Sequence, residues 1–100
     1  MGTVRVEVMP WLSRYFATGR YGRVVLEMEQ GDGGTVRDLL EELAAQNREL
    51  GDVLFDPNTG KLSAHVSLLL NGRLLEVSGG VQAALAPGDT LRLMPGFSGG

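Results

Sequence analysis

A chain of 100 residues with 43% hydrophobic content has room for one domain with a modest core. It contains no cysteine, which excludes disulfides, thiolate zinc sites, iron–sulfur clusters and a cysteine nucleophile. A formal charge of −3 argues against nucleic acid as a partner, because phosphate binding asks for a basic face.

The opening residues MGTVRVEVMP have no continuous apolar run, so no signal peptide is read there. Nothing in the chain approaches the roughly 20 apolar residues of a membrane span. A cytoplasmic protein without a membrane partner is expected. Val4, Val6 and Val8 alternate with Arg5, Glu7 and Met9, the two-residue period of a half-buried strand that Pro10 ends. Trp11 to Gly22 is irregular, and Trp11, Leu12, Tyr15 and Phe16 suggest one helical turn packed over an edge of the core. A second strand follows with Val24, Leu26 and Met28 on one face, paired antiparallel with the first.

"GDGG" (Gly31–Gly34) breaks the chain before the clearest helix. Thr35 reads as its N-cap, and Asp38 three residues on completes a capping box. Val36, Leu39, Leu40, Leu43 and Ala44 fall on one face, and Arg37 and Glu41 form an i,i+4 pair. Arg48 falls late, where a helix favours positive charge, and Gly51 reads as the stop. Val53, Leu54 and Phe55 suggest a buried short turn, and "DPNTG" (Asp56–Gly60) a surface loop. Val66, Leu68 and Leu70 line the inner face of a third strand, with Ser67 and Leu69 outside. Asn71-Gly72 is a hairpin signal leading to a fourth strand from Arg73 to Val77. Val81 to Leu85 suggests a helical turn, and Pro87-Gly88-Asp89 turns the chain into a last strand. There Leu91 and Leu93 alternate with Arg92 and Met94, and Pro95 and Gly96 end it.

Internal chemistry is sparse. His65 is the one histidine, with no second histidine or cysteine to build a metal site or triad, and reads as structural; no metal is expected. Asp38, Glu41 and Glu42 are spaced as a solvated helix face. "GDGG" lacks the lysine and Ser/Thr of a phosphate cradle. What remains is the end: six residues from Pro95 to a terminal Gly99-Gly100, which reach about 20 Å when extended. Glycine has no Cβ, so a narrow channel can close around bare backbone and take up the terminal carboxylate.

"GKL" (Gly60–Leu62), "NGR" (Asn71–Arg73), "GDTLRLMP" (Gly88–Pro95) and the final Gly-Gly, in a cysteine-free chain with this strand order, resemble the MoaD/ThiS family of ubiquitin-like sulfur carriers. The resemblance covers essentially the whole chain; it is strongest from Gly60 to Gly100 and weakest from Trp11 to Gly22. Gly96 stands where the family's usual ending has a second proline, and Phe97 is larger than the usual residue. The fold implied is α+β: a ubiquitin-like β-grasp, a mixed sheet of about five strands with one main helix on one face, over residues 1–94, and a flexible tail over 95–100.

The function implied is that of a carrier without catalytic residues of its own. An E1-like adenylyltransferase of the MoeB/ThiF type uses ATP to adenylate the Gly100 carboxylate, and a persulfide sulfur displaces AMP to leave a thiocarboxylate. Pro95, Gly96, Phe97, Ser98 and Gly99 thread into the partner enzyme, and Met94, Leu69 and Phe97 form an apolar docking patch. No cofactor is bound; ATP belongs to the partner. The length, "DPNTGKL" and "VSGGVQAALAPGD" resemble molybdopterin- and cysteine-type carriers more than the shorter thiazole type, and molybdopterin synthase is ranked first as acceptor, with this chain as its small subunit in molybdenum cofactor biosynthesis. A cysteine synthase comes next. Thiazole formation, tRNA thiolation and ubiquitin-like protein modification are the alternatives.

Overall fold

The structure, a computed structural model, describes residues 2–10, 24–30, 34–63 and 66–95. The expected Trp11–Gly22 turn, His65 and the last five residues lie outside them. β1 (Gly2–Val8) pairs antiparallel with β2 (Val24–Gln30), Val6 opposite Leu26. β1 also runs parallel to β5 (Thr90–Pro95), Val6 opposite Leu91 and Val8 opposite Leu93. β5 is antiparallel to β3 (Val66–Leu70), which makes a hairpin with the short β4 (Arg73–Leu74). The sheet order is β2-β1-β5-β3-β4, so the strands nearest the two chain ends lie side by side in its middle.

The two-residue period decides which face is buried. Val4, Val6, Val8, Leu91 and Leu93 are fully buried, with Val24, Met28, Val66, Leu68 and Leu70 beside them. The helices cover that same face. Thr35 caps α1 (Val36–Gln46): its hydroxyl accepts from the Asp38 N–H at 3.2 Å, and the Asp38 carboxylate accepts from the Thr35 N–H at 3.0 Å. Val36, Leu39, Leu40 and Leu43 point into the core.

The single helix stopping at Gly51 is replaced by two. At Asn47 the backbone leaves the helical region (φ −137°, ψ 86°), and both its backbone N–H and its side-chain amide donate to the Leu43 carbonyl. A second helix, α2 (Arg48–Leu54), starts at once. Arg48 therefore opens a helix instead of closing one. The break re-aims the chain so that Leu50 and Leu54 are fully buried. Val53 and Leu54, expected in a turn, belong to α2. Gly51 is there for contact: a Cβ on it would stand 2.8 Å from the Ala44 Cβ.

The fourth strand is also shorter than expected. It ends at Leu74, and the chain coils into 3-10 turns at Leu75–Ser78 and Gly80–Gln82. In a strand, Leu75 and Val77 would share a face. The coil instead buries Leu75 (4% exposed) and releases Val77 (77% exposed). Of the helical turn expected from Val81 to Leu85 only Val81 and Gln82 are helical, in the second 3-10 turn; Ala83 is extended, Ala84 bridges Thr35 and the Leu85 N–H donates to the Gly34 carbonyl. Asn71 (φ 52°) and Gly72 (φ 84°) take the two left-handed positions of the hairpin turn that joins β3 to β4.

Candidate functional site

The described structure ends where the expected tail begins. Pro95 is the last residue of β5, half-buried and opposite Val66, so it belongs to the sheet and not to the tail. Gly96, Phe97, Ser98, Gly99 and Gly100 lie outside the described residues. β5 is held by β1 as far as Leu93 and by β3 through Pro95.

Met94 and Leu69 face away from the helices. Leu69 is opposite Arg92 and Met94 opposite Ser67, which makes Leu69 and Met94 diagonal neighbours on one face, both half-buried. Leu74, opposite Leu69 and 53% exposed, extends the apolar surface toward the sheet edge. Phe97 cannot be placed with them, as it lies beyond the described residues.

Sequence reading missed the charge at the centre of this face. Glu7 is 7% exposed, the one buried charged residue among those described. It stands opposite Arg92 across the parallel β1–β5 pair. Its carboxylate accepts a hydrogen bond from Arg92 Nε at 3.1 Å and is ion-paired with Arg92 Nη2 at 3.0 Å and Arg5 Nε at 3.2 Å. The signal for it was alternation itself: Arg5 and Glu7 share a strand face, and any strand pairing with β1 would put its own charges beside them. Arg92 therefore lies stretched between Glu7 and Leu69, next to Met94 and the root of the tail. Among the described residues no group of three or more His, Cys, Asp or Glu side chains converges to hold a metal, and no helix is long and apolar enough to cross a membrane.

A five-stranded mixed sheet of this order, with helices on one face, is the ubiquitin-like β-grasp, and the similar solved structures share it. One is small archaeal modifier protein 1 of Haloferax volcanii, with TM-score 0.76 and 26% identity, covering 99% of this chain and 100% of that one. The ThiS family model matches residues 14–100, so the chain belongs to the ThiS family, a family of ubiquitin-like sulfur carriers. The sulfur carrier protein CysO of Mycobacterium tuberculosis is 32% identical over 69 residues, 68% of this chain and 74% of that protein. Small archaeal modifier protein 3 of Haloferax volcanii is 34% identical over 89 residues, 87% of this chain and 95% of that protein.

Proposed function

We propose that the working group of this protein is the carboxylate of Gly100, loaded with sulfur as a thiocarboxylate. The observation that carries the reading is the family match through residue 100 together with the place where the sheet ends. β5 is described through Pro95, and the five residues that follow it to Gly100 span about 17 Å when extended, enough to present a carboxylate to a partner. A carboxylate is a poor electrophile. An E1-like adenylyltransferase joins it to the AMP of ATP with release of pyrophosphate, giving a carbonyl with a good leaving group; the outer sulfur of a partner's persulfide then displaces AMP, and a second thiol of the partner cleaves the resulting acyl disulfide, leaving the thiocarboxylate on Gly100 and a disulfide on the partner. The chain's own part is to present the terminus. Gly99 and Gly100 give the enzyme's channel bare backbone to close on, while the face with Met94, Leu69 and Arg92 meets the enzyme beside the tail root.

The sulfur then goes to a second enzyme. Molybdopterin synthase is our first assignment, with this chain as its small subunit, and a cysteine synthase is the second. A modifier role is the other reading, supported by the similarity to small archaeal modifier protein 3. Incubation with an E1-like enzyme, ATP and a sulfur donor should exchange one oxygen of the intact chain for sulfur by mass. An unchanged mass with an enzyme that loads a known carrier would overturn the proposal. Loaded protein offered separately to the two acceptor enzymes then separates the two assignments.

A further inference from the structure

The sheet face turned away from the helices is divided by charge. On the edge strand β2 it carries Glu27 and Glu29, which stand opposite Arg5 and Thr3 of β1. Toward the other edge it is formed by Thr90, Arg92 and Met94 of β5, Ser67 and Leu69 of β3 and Leu74 of β4, and Arg92 is the one charge among them. Arg92 does not sweep freely over that surface. Its Nε donates to Glu7 Oε1 at 3.1 Å, and its Nη2 lies 3.0 Å from the same oxygen. Glu7 is itself pinned, because Arg5 Nε lies 3.2 Å from Oε2. Two guanidiniums therefore share one buried carboxylate, and the three groups sum to one positive charge. One edge of the Arg92 fork faces Glu7. The end formed by Nη1 and Nη2 has no further acceptor among the described residues, and the side chain is 42% exposed.

We propose that Arg92, held in place by Glu7, is the residue by which this face selects its activating enzyme, and that its open end pairs with a carboxylate on that enzyme. The inference rests on the reading of Gly100 as an activated terminus and adds the chemistry of the contact beside it. A partner that covers Leu69, Met94 and Leu74 also covers Arg92, which stands opposite Leu69. Covering a guanidinium end without an acceptor is costly. Because Glu7 is shared with Arg5, the charge of Arg92 is only partly compensated, and a carboxylate suits it better than a neutral carbonyl. The fork also sets direction, since two N–H groups at its open end match two carboxylate oxygens. Glu7 is the positioning residue. A loose arginine loses rotamer freedom when a partner fixes it, whereas Glu7 has fixed this one before the partner arrives. An enzyme with a cation, or only apolar side chains, at this point leaves Arg92 buried and uncompensated and is rejected.

The test titrates the full chain into the E1-like enzyme without ATP, so that affinity is read apart from chemistry, at a temperature where every variant is folded. Arg92→Gln should raise Kd about tenfold or more, through loss of a charge-assisted bond. Arg92→Lys keeps the charge but lacks the fork, so its Kd should fall between the two. Added salt should weaken binding of the unaltered chain more steeply than that of Arg92→Gln. Glu7→Gln should raise Kd about three- to fivefold, and should add nothing in the Arg92→Gln chain, because Glu7 acts through Arg92. A merely structural Glu7 would weaken both backgrounds alike. An Arg92→Gln Kd within about twofold of the unaltered chain's, equal salt dependence in the two, or a Glu7→Gln effect that persists in the Arg92→Gln chain would overturn the proposal. Loading kinetics separate it from the reading it rests on: Arg92→Gln should raise KM for the chain with kcat held. A chain that binds with this pattern but keeps its mass with ATP and a sulfur donor refutes the role of Gly100 and not that of Arg92. A chain that is loaded with no dependence on Arg92 does the reverse.

Discussion

Glu7 sets the energetics of the open sheet face. A carboxylate 7% exposed loses most of its water, and two guanidiniums replace it. Those guanidiniums are 49% and 42% exposed, so solvent screens much of the attraction. The balance favours a modest net stabilisation with a clear positioning effect. Glu7→Gln keeps the shape and removes the charge; it should destabilise by about 1–2 kcal/mol in urea unfolding. Glu42→Gln on the exposed face of α1 is the control, and an equal loss there would remove Glu7 from this role. Gly51 is a second residue whose effect is set by contact. Alanine is the better helix former by about 1 kcal/mol, so propensity alone says Gly51→Ala stabilises. The 2.8 Å approach to the Ala44 Cβ says the opposite, and α1 and α2 would have to part. We expect packing to win, with a net loss of about 1–2 kcal/mol. Adding Ala44→Gly should recover part of it; a stabilised Gly51→Ala would show that the helices separate freely.

At the level of elements, what could be read in advance followed from periodicity and caps. The alternating valines of β1, the Leu91/Leu93 pair of β5 and the Thr35–Asp38 box each contain their own signal within a few residues. The misreadings came where a distant contact decides. Nothing local says that Asn47 ends α1, since the helical period continues through Leu50; the burial of Leu50 and Leu54 requires the change of direction. Nor does Arg73–Val77 reveal that Leu75 is needed in the core while Val77 is not. Of the candidate site, Leu69 and Met94 were readable as outward-facing, whereas the Glu7–Arg92 contact joins residues 85 positions apart. The β3–β4 turn combines both kinds of information. Asn-Gly suits its left-handed angles, but the Asn71 side chain also reaches β5, donating to Asp89 at 3.0 Å and accepting from the Thr90 N–H at 2.9 Å. Asn71→Gly keeps the angles and loses these bonds, for a cost of about 1 kcal/mol. Asn71→Ala loses both and should cost about 1–2 kcal/mol more, since a left-handed alanine is strained. Equal losses in thermal or urea melts would mean that the angles do not matter.

In the whole molecule, the proposed function and the stability of the fold fall on different parts of the chain. The centre of the sheet joins β1 to β5, with Val6 beside Leu91, so the fold closes only when residues from near both ends meet. Every buried hydrophobic residue among those described lies between Val4 and Leu93. If the function belongs to the terminal carboxylate, the two properties should separate under substitution. Removing Gly99 and Gly100 leaves every buried residue of the described core in place, so the melting temperature should hold while sulfur loading by an E1-like enzyme is lost. Leu91→Ala does the reverse. It opens a cavity beneath the central strand pair and should cost about 2.5–5 kcal/mol. Its terminus is untouched, so loading per folded molecule should match that of the unaltered chain at a temperature where the variant stays folded. Loading that survives loss of Gly99-Gly100 would place the reactive group elsewhere. Loading that falls with Leu91→Ala beyond its unfolded fraction would mean that the activating enzyme reads the interior packing of the sheet as well as the tail it carries.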